Sequence, residues 1–235
     1  MSDLILSHYF TSKPHPLGSG EEPGPNNFEY MRDWYISVAA HKLKARVLTD
    51  SGSDFVNVYT TSSVSFFQMT LRTPAEYSIN DERVKLLHDY IREHENIERV
   101  LITDISDVTF QGNPFDLMTK KDTVYCGNLD GKWNGRGVDY QKFVECVGPT
   151  EATLFKGKQI YSMGIFGGHR DVVLKVLWRT WQSIEYCIKR GLYNVNLPAF
   201  NYALAILQVP IVTGAPLHSR FKALDTNTTS YVRHQ

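Results

Sequence analysis

Apolar residues along the chain fall into two spacings. Leu4–Leu6, Ala45–Leu48, Val64–Met69 and Val100–Ile102 are brief apolar runs, long enough for a strand and too short for a helix, and Val124–Cys126 and Gln159–Met163 are shorter strand candidates. Between them the apolar residues recur at helical intervals. Met31, Trp34, Tyr35, Val38 and Ala39 follow i, i+3, i+4, i+7, i+8, which predicts a helix from near Phe28 capped by Asn26 or Asn27. Val84, Leu87 and Ile91 form the stripe of a second helix, capped by Asn80-Asp81, with Glu82, Arg83, Arg92, Glu93 and Glu95 on its outer face. The strongest periodic signal runs from Asp171 to about Arg190. There Val172, Val173, Val176, Leu177, Thr180, Trp181 and Ile184 lie inward, and Lys189-Arg190-Gly191 supplies favourable charge and a C-cap. Both Trp178 and Trp181 are expected in its core. A shorter helix starts at Pro198 and carries Phe200, Ala203, Leu204 and Leu207. Strands alternating with helices predict an α/β fold, a mostly parallel central sheet with helices on both faces. Ser7 to Pro25, rich in Pro, Gly and Ser, reads as a long loop.

Composition narrows the class. The 235 residues fit one domain, and 42% hydrophobic residues supply a core that a disordered chain lacks. Lys plus Arg and Asp plus Glu number 25 each, so the chain lacks the basic surplus of a nucleic-acid binder, while a small anionic ligand held by a few groups stays open. Cys126, Cys146 and Cys187 make neither a disulfide framework nor a CxxC zinc pair, which points to a reducing compartment. No apolar run is long enough to span a membrane and the N-terminal apolar piece is too short for a signal segment, so the expected location is cytoplasmic.

Gly18, Gly20 and Gly24 follow a strand, but their GxGxxxG spacing is filled by Glu21, Glu22, Pro23 and Pro25. Two carboxylates repel a pyrophosphate and the prolines oppose a helix start, so this is no dinucleotide fingerprint. The sharper candidate is Asp104-Ile105-Ser106-Asp107, at the carboxyl end of the buried Val100–Ile102 run. A turn there brings i and i+3 within ~7 Å. Two converging carboxylates at the rim where open α/β sheets bind ligands call for a hard cation such as Mg²⁺ or Mn²⁺. The alternative is that both acids only brace a loop. Gly164, Gly167 and Gly168, read as a strand-to-helix passage before Asp171, permit close approach of a ligand. His41, His88 and His94 fall on helix faces, where a solvated imidazole is the default. The Asn227-Thr228-Thr229 sequon carries no weight without a signal segment.

The segment Thr103-Asp104-Ile105-Ser106-Asp107-Val108-Thr109-Phe110-Gln111-Gly112-Asn113-Pro114-Phe115 resembles the acidic metal-binding segment of GT-A glycosyltransferases, specifically a bacterial and large-virus type with the pattern TD-x-x-DV-x-FQ-x-x-PF. The resemblance covers roughly residues 78–221. It implies a single GT-A-like domain over 1–235, with a nucleotide-binding half to about 118 and an acceptor-side half beyond. It implies a metal-dependent transfer of a sugar from a nucleotide diphosphate, UDP on family frequency, to a carbohydrate acceptor, with retention favoured. Asp104 and Asp107 match the metal-binding acids and His218 the C-terminal ligand for Mn²⁺ or Mg²⁺. Gly164, Gly167 and Gly168 match the donor-sugar segment and Arg83 the group approaching the nucleotide. Tyr9, stacking on the base, Thr11 in the same loop, and Asp50 complete the donor-binding set; for Tyr9 packing, and for Asp50 a turn cap, are the bland readings. Asp107, Asp130 and Asn196 are the candidates on the catalytic side, Asp130 with the loop 131–137 closing over donor or acceptor. The acidic pair is spaced Asp-x-x-Asp where the commoner form is Asp-x-Asp. Asn196 stands where many relatives carry an Asp and cannot be an anionic base or nucleophile. Two rivals remain: a sugar nucleotidyltransferase, disfavoured by the acidic N-terminal loop, and a non-catalytic carbohydrate-binding or scaffolding domain.

Overall fold

A computed structural model describes residues 2–14, 16, 24–71, 73–133, 138–219 and 230–234; of residues 130, 138 and 139 it describes the backbone alone. Strand β1 (Ser2–Tyr9) leads to a 3-10 turn (Phe28–Met31) and helix α1 (Arg32–Ala40), then β2 (Ala45–Thr49), α2 (Ser53–Tyr59), β3 (Val64–Gln68), α3 (Ile79–Glu93) and β4 (Ile97–Thr103). The short β5 (Val108–Phe110) precedes β6 (Val124–Lys132), α4 (Val138–Val147), α5 (Pro149–Thr153), β7 (Gln159–His169), α6 (Arg170–Ile188), α7 (Asn196–Leu207), β8 (Ile211–Val212) and β9 (Val232–His234).

Seven strands form one mixed, mostly parallel sheet in the order β3-β2-β1-β4-β7-β6-β8, with β7 antiparallel to both neighbours; β5 and β9 make a small antiparallel pair. Strand alternation divides the core between two faces. Leu6, Leu48, Val100, Ile102 and Phe166 pack with apolar residues of α3, α6 and α7. Ile5, Val47, Leu101 and Ile165 face Met31, Trp34 and Val38 beside α1, and Phe55 of α2. The fold is thus α/β with helices on both faces, as the alternation predicts. Among the described residues no helix is long and apolar enough to cross a membrane.

Five local readings need correction. The passage at Gly164–Gly168 is not a loop: β7 runs through it to His169, because Gly167 lets the strand close on β4. Helix α3 is capped by Ser78, whose Oγ accepts the Asp81 N–H at 3.1 Å, and not by Asn80-Asp81. Trp178 is 43% exposed and lies over His88, which it covers, so Trp181 alone of the pair is core and His88 is not solvated. His94 likewise stacks on Tyr90.

Asp81 itself is fully buried and ties two helices together. Its carboxylate accepts the Ser78 hydroxyl at 2.7 Å and the Val195 N–H, at the start of α7, at 2.9 Å. Burial pushes its pKa up, against the hydrogen bonds from Ser78, Val195 and Asn194 that lower it. A carboxyl raised in the folded state contributes stability that is present below the unfolded pKa and lost as pH rises through the folded one. Asp81→Asn keeps an acceptor for Val195 and removes the ionisation. Its stability relative to the parent, read from urea midpoints, is therefore expected to climb from pH 4 to pH 7. A relative stability that falls over that range would show the anion to be favoured by its surroundings.

Candidate functional site

The chain lays β1, β2 and β3 outward in turn, then crosses back to place β4 on the other flank of β1. That reversal opens a crevice outside the carboxyl ends of β1 and β4, the usual ligand position in open α/β sheets. Thr103, the last residue of β4, is pinned there from both faces. Ser7 Oγ donates to its carbonyl at 2.7 Å and Trp34 Nε1 donates to its hydroxyl at 2.9 Å. The Asp104 N–H then donates to Gly164 O across the neighbouring strand at 2.9 Å. The next residues turn into β5, and the β5–β9 register sets Val108 opposite His234. A strand pairing far along the chain thereby delivers an imidazole beside Asp107.

Asp104, Asp107 and His234 each offer a ligand atom, and those atoms all lie within 4.8 Å of one another. His234 is 2% exposed and its Nε2 stands 3.7 Å from Asp107 Oδ2, whose side chain is 32% exposed. The residues fit a divalent cation on three counts. Asp107 Oδ1 is buried without a hydrogen-bond partner. A Cβ on Gly164 would come within 2.6 Å of Asp104 Oδ2 and 2.7 Å of His234 Cε1, so the pocket floor is open only because that residue is glycine. Two hard carboxylates and one imidazole suit Mn²⁺ or Mg²⁺, the nitrogen favouring Mn²⁺.

One cation of the chain already flanks the group. Arg83, on the first turns of α3, donates to Asp104 Oδ1 at 2.8 Å, and its Nη1 lies 3.2 Å from His8 Nε2. Burial acts to raise the Asp104 pKa, but Arg83, then His8 and His234, outweigh it and hold the carboxyl below its ordinary value. Asp104 is therefore an anion presenting its second oxygen towards His234. Tyr30 lies near the acidic turn: burial raises its pKa, and the charges of Asp104 and Asp107 add to that.

The structure thus brings together Asp104, Asp107, Arg83 and Gly164 from the expected set. His218 is not with them. Its Nδ1 lies 2.7 Å from Ser219 O, and its Nε2 lies 2.7 Å from Cys126 O and 2.8 Å from the Gly214 amide, so both ring nitrogens are spent on backbone. Burial lowers its pKa. His234 holds the position that the resemblance gave to His218. Tyr9 is no base-stacking platform either: it is buried against Phe55, its hydroxyl donates to Gly24 O at 2.6 Å and accepts the Asn27 N–H at 2.8 Å. Asp50 accepts the Thr11 amide at 2.9 Å and the Ser12 amide at 2.8 Å, which fixes Asp50 and Thr11 as a brace for the chain leaving β1. Gly167 and Gly168 face backbone of β4 and the Thr123 carbonyl, and serve sheet packing. Asn196 is the half-buried first residue of α7. Asp130 to Lys132 run within β6, not in a loop, and the Asp130 side chain and residues 134–137 lie outside the described residues, as do Gly18, Gly20 and the sequon.

Three members of the site went unread in the sequence: His8, Tyr30 and His234. The apolar-polar alternation of Val232, Arg233 and His234 is a strand signal too short to stand out, and nothing local ties it to Asp107. No protein-family model matches the chain, and a search of curated proteins gives no match.

Proposed function

We propose that this protein is a GT-A-like glycosyltransferase that moves a sugar from a nucleotide diphosphate, UDP first among them, to a carbohydrate acceptor with the help of Mn²⁺ or Mg²⁺. The observation that carries the reading is the convergence of Asp104, Asp107 and His234 at the switch point of the sheet, where the resembling segment Thr103–Phe115 would require a metal site. Asp104, Asp107 and His234 would hold the ion, which when bound supplies Lewis-acid charge to a departing diphosphate. The chain's own groups supply the rest. Arg83 is a fixed cation beside the acids and is positioned to share the negative charge that builds on the leaving group. His8 lies on the same side, its Nε2 3.2 Å from Arg83 Nη1. Asn196 brings no anion to the acceptor side, so no nucleophile or base is assigned to it.

Calorimetric titration of UDP, GDP, TDP and CMP, first with Mn²⁺ and then with EDTA, tests this directly. UDP is expected to bind with Mn²⁺ and to lose its heat signal in EDTA. Binding of none of the four in Mn²⁺ would overturn the donor reading and with it the transferase.

A further inference from the structure

The helices on the α3, α6 and α7 side of the sheet have an outer surface that the acidic site does not use. On α6, Lys175, Trp178, Gln182, Tyr186 and Lys189 recur at i, i+3, i+7, i+11 and i+14, an exposed stripe running to the helix's carboxyl end. Helix α7 beside it has no charged residue, and Ile206 near its end is half exposed. Seven large apolar or aromatic side chains are exposed among the described residues, and five belong here: Leu154 after α5, Trp178, Tyr186, Tyr193 after α6, and Ile206. A helix layer facing only water carries charged and polar groups in those places. Charge is also unevenly shared. Residues 149–209 hold seven Lys and Arg against three Asp and Glu, a surplus of 7 − 3 = +4 in a chain whose total is zero. Among the described residues no carboxylate pairs with Lys156, Lys158, Lys175, Arg179, Lys189 or Arg190. Instead Lys158 lies over the Phe155 ring at 5.3 Å, Arg179 over Tyr202 at 5.8 Å and Arg190 over Tyr186 at 5.3 Å. The Phe155 and Tyr202 rings are 6.5 Å apart, so these contacts join the end of α5, α7 and α6 into one surface. The opposing acids are Glu151 on α5, Asp171 in the first turn of α6 and the half-buried Glu185.

We propose that this surface docks on an anionic lipid bilayer, with its rings and aliphatic side chains in the headgroup region and its cations against lipid phosphates. Three observations select a membrane over a protein or nucleic-acid partner. Lysine is depleted from protein interfaces, yet it supplies four of the six unpaired cations. Base stacking needs open ring faces, yet Tyr186 and Tyr202 each have a guanidinium over one face. Cations held beside rings, with the aliphatic Leu154 and Ile206 among them, match the interfacial depth at which Trp, Tyr, Lys and Arg collect.

The test is sedimentation of the whole purified chain with sucrose-loaded vesicles of phosphatidylcholine alone or mixed with phosphatidylglycerol. Binding is expected to the mixed vesicles only, and to weaken as salt is raised. Each cation at an anionic surface changes partition about fivefold, so Lys175→Glu with Lys189→Glu should lower it on the order of a hundredfold or more. Lys42→Glu with Lys44→Glu makes the same change in net charge between α1 and β2, on the other side of the sheet, and should leave binding within a few-fold. Urea melts of both variants check that they are folded. Lipid brominated along its chains is expected to quench Trp178, the one exposed tryptophan of four, and Trp178→Phe to remove that quenching. No binding to the mixed vesicles at low salt, equal binding to phosphatidylcholine alone, an equal loss in the Lys42 and Lys44 variant, or an unquenched Trp178 would each overturn the proposal. So would a dimer in lipid-free buffer that Ile206→Ser dissociates, which would give the face to a second copy of the chain. No readout involves a nucleotide or a sugar, so the outcome stands apart from the function proposed above.

Discussion

Asp107→Ala is expected to abolish the proposed Mn²⁺-dependent nucleotide binding, His234→Ala to do nearly the same, and His218→Gln to leave it within a few-fold of the parent. The ordering follows from which atoms face the site. Asp107 and His234 stand 3.7 Å apart with Asp104 completing the group, while both His218 nitrogens are engaged by backbone. Outer partners of a metal ligand typically cost 10–100-fold when removed, so loss of a ligand among three is expected to cost on the order of a hundredfold or more. Asp107→Asn separates charge from shape. It preserves the side-chain volume and removes the anion, and it should fail almost as fully as alanine. Direct Mn²⁺ titration followed by electron paramagnetic resonance reads the metal step without any nucleotide. If His218→Gln lost the ion and His234→Ala kept it, the imidazole would be wrongly assigned. His218→Gln is instead expected to show its effect in stability, since a buried backbone carbonyl left without its ring-nitrogen partner costs about 1–3 kcal/mol.

The part of this site visible in the sequence is the part built by neighbours in the chain. Asp104 and Asp107 are read from a single strand end and turn, and a turn of four residues needs only local geometry. The α/β alternation is legible for the same reason, since each strand and helix announces its own buried face. What escapes is set by distance along the chain. His234 reaches Asp107 only through the β5–β9 register, and the residues of β9 carry no signal of which strand they pair with. Arg83 and His8 meet because α3 begins at the edge of the sheet where β1 ends, which periodicity does not reveal. Trp178 shows the opposite failure. Helical spacing puts it near the buried stripe, yet the stripe is filled by Val173, Val176, Leu177 and Trp181, and Trp178 is left on the flank above His88. Tyr9 and Asp50 were chemically plausible ligands. Backbone amides and a carbonyl left by the irregular chain after β1 claim their polar atoms first, as buried or half-buried backbone must be satisfied before a ligand is.

Two glycines three residues apart in β7 are expected to fail in different ways when each becomes alanine. At Gly167 a Cβ would lie 2.4 Å from Val100 O and 2.9 Å from Leu101 Cα. Both are backbone atoms of β4, at the centre of the sheet, and cannot turn aside. The strands must separate, breaking ladder hydrogen bonds on the way, so Gly167→Ala should cost at least ~3 kcal/mol, the upper end of overpacking. Against a total stability of about 5–15 kcal/mol that is roughly a fifth to three fifths of the whole. At Gly164 the obstructing atoms are Asp104 Oδ2 and His234 Cε1 and Nε2, which are side-chain ends. The carboxylate and the ring can swing away, so Gly164→Ala should keep most of the urea stability while the ligand atoms are driven apart and Mn²⁺ affinity falls by tenfold or more. Paired urea melts and Mn²⁺ titrations of the two variants separate the cases. A stable Gly167→Ala protein would mean that β4 and β7 are not packed as described. A Gly164→Ala protein with unchanged Mn²⁺ affinity would mean that the ion, if bound, does not sit among Asp104, Asp107 and His234.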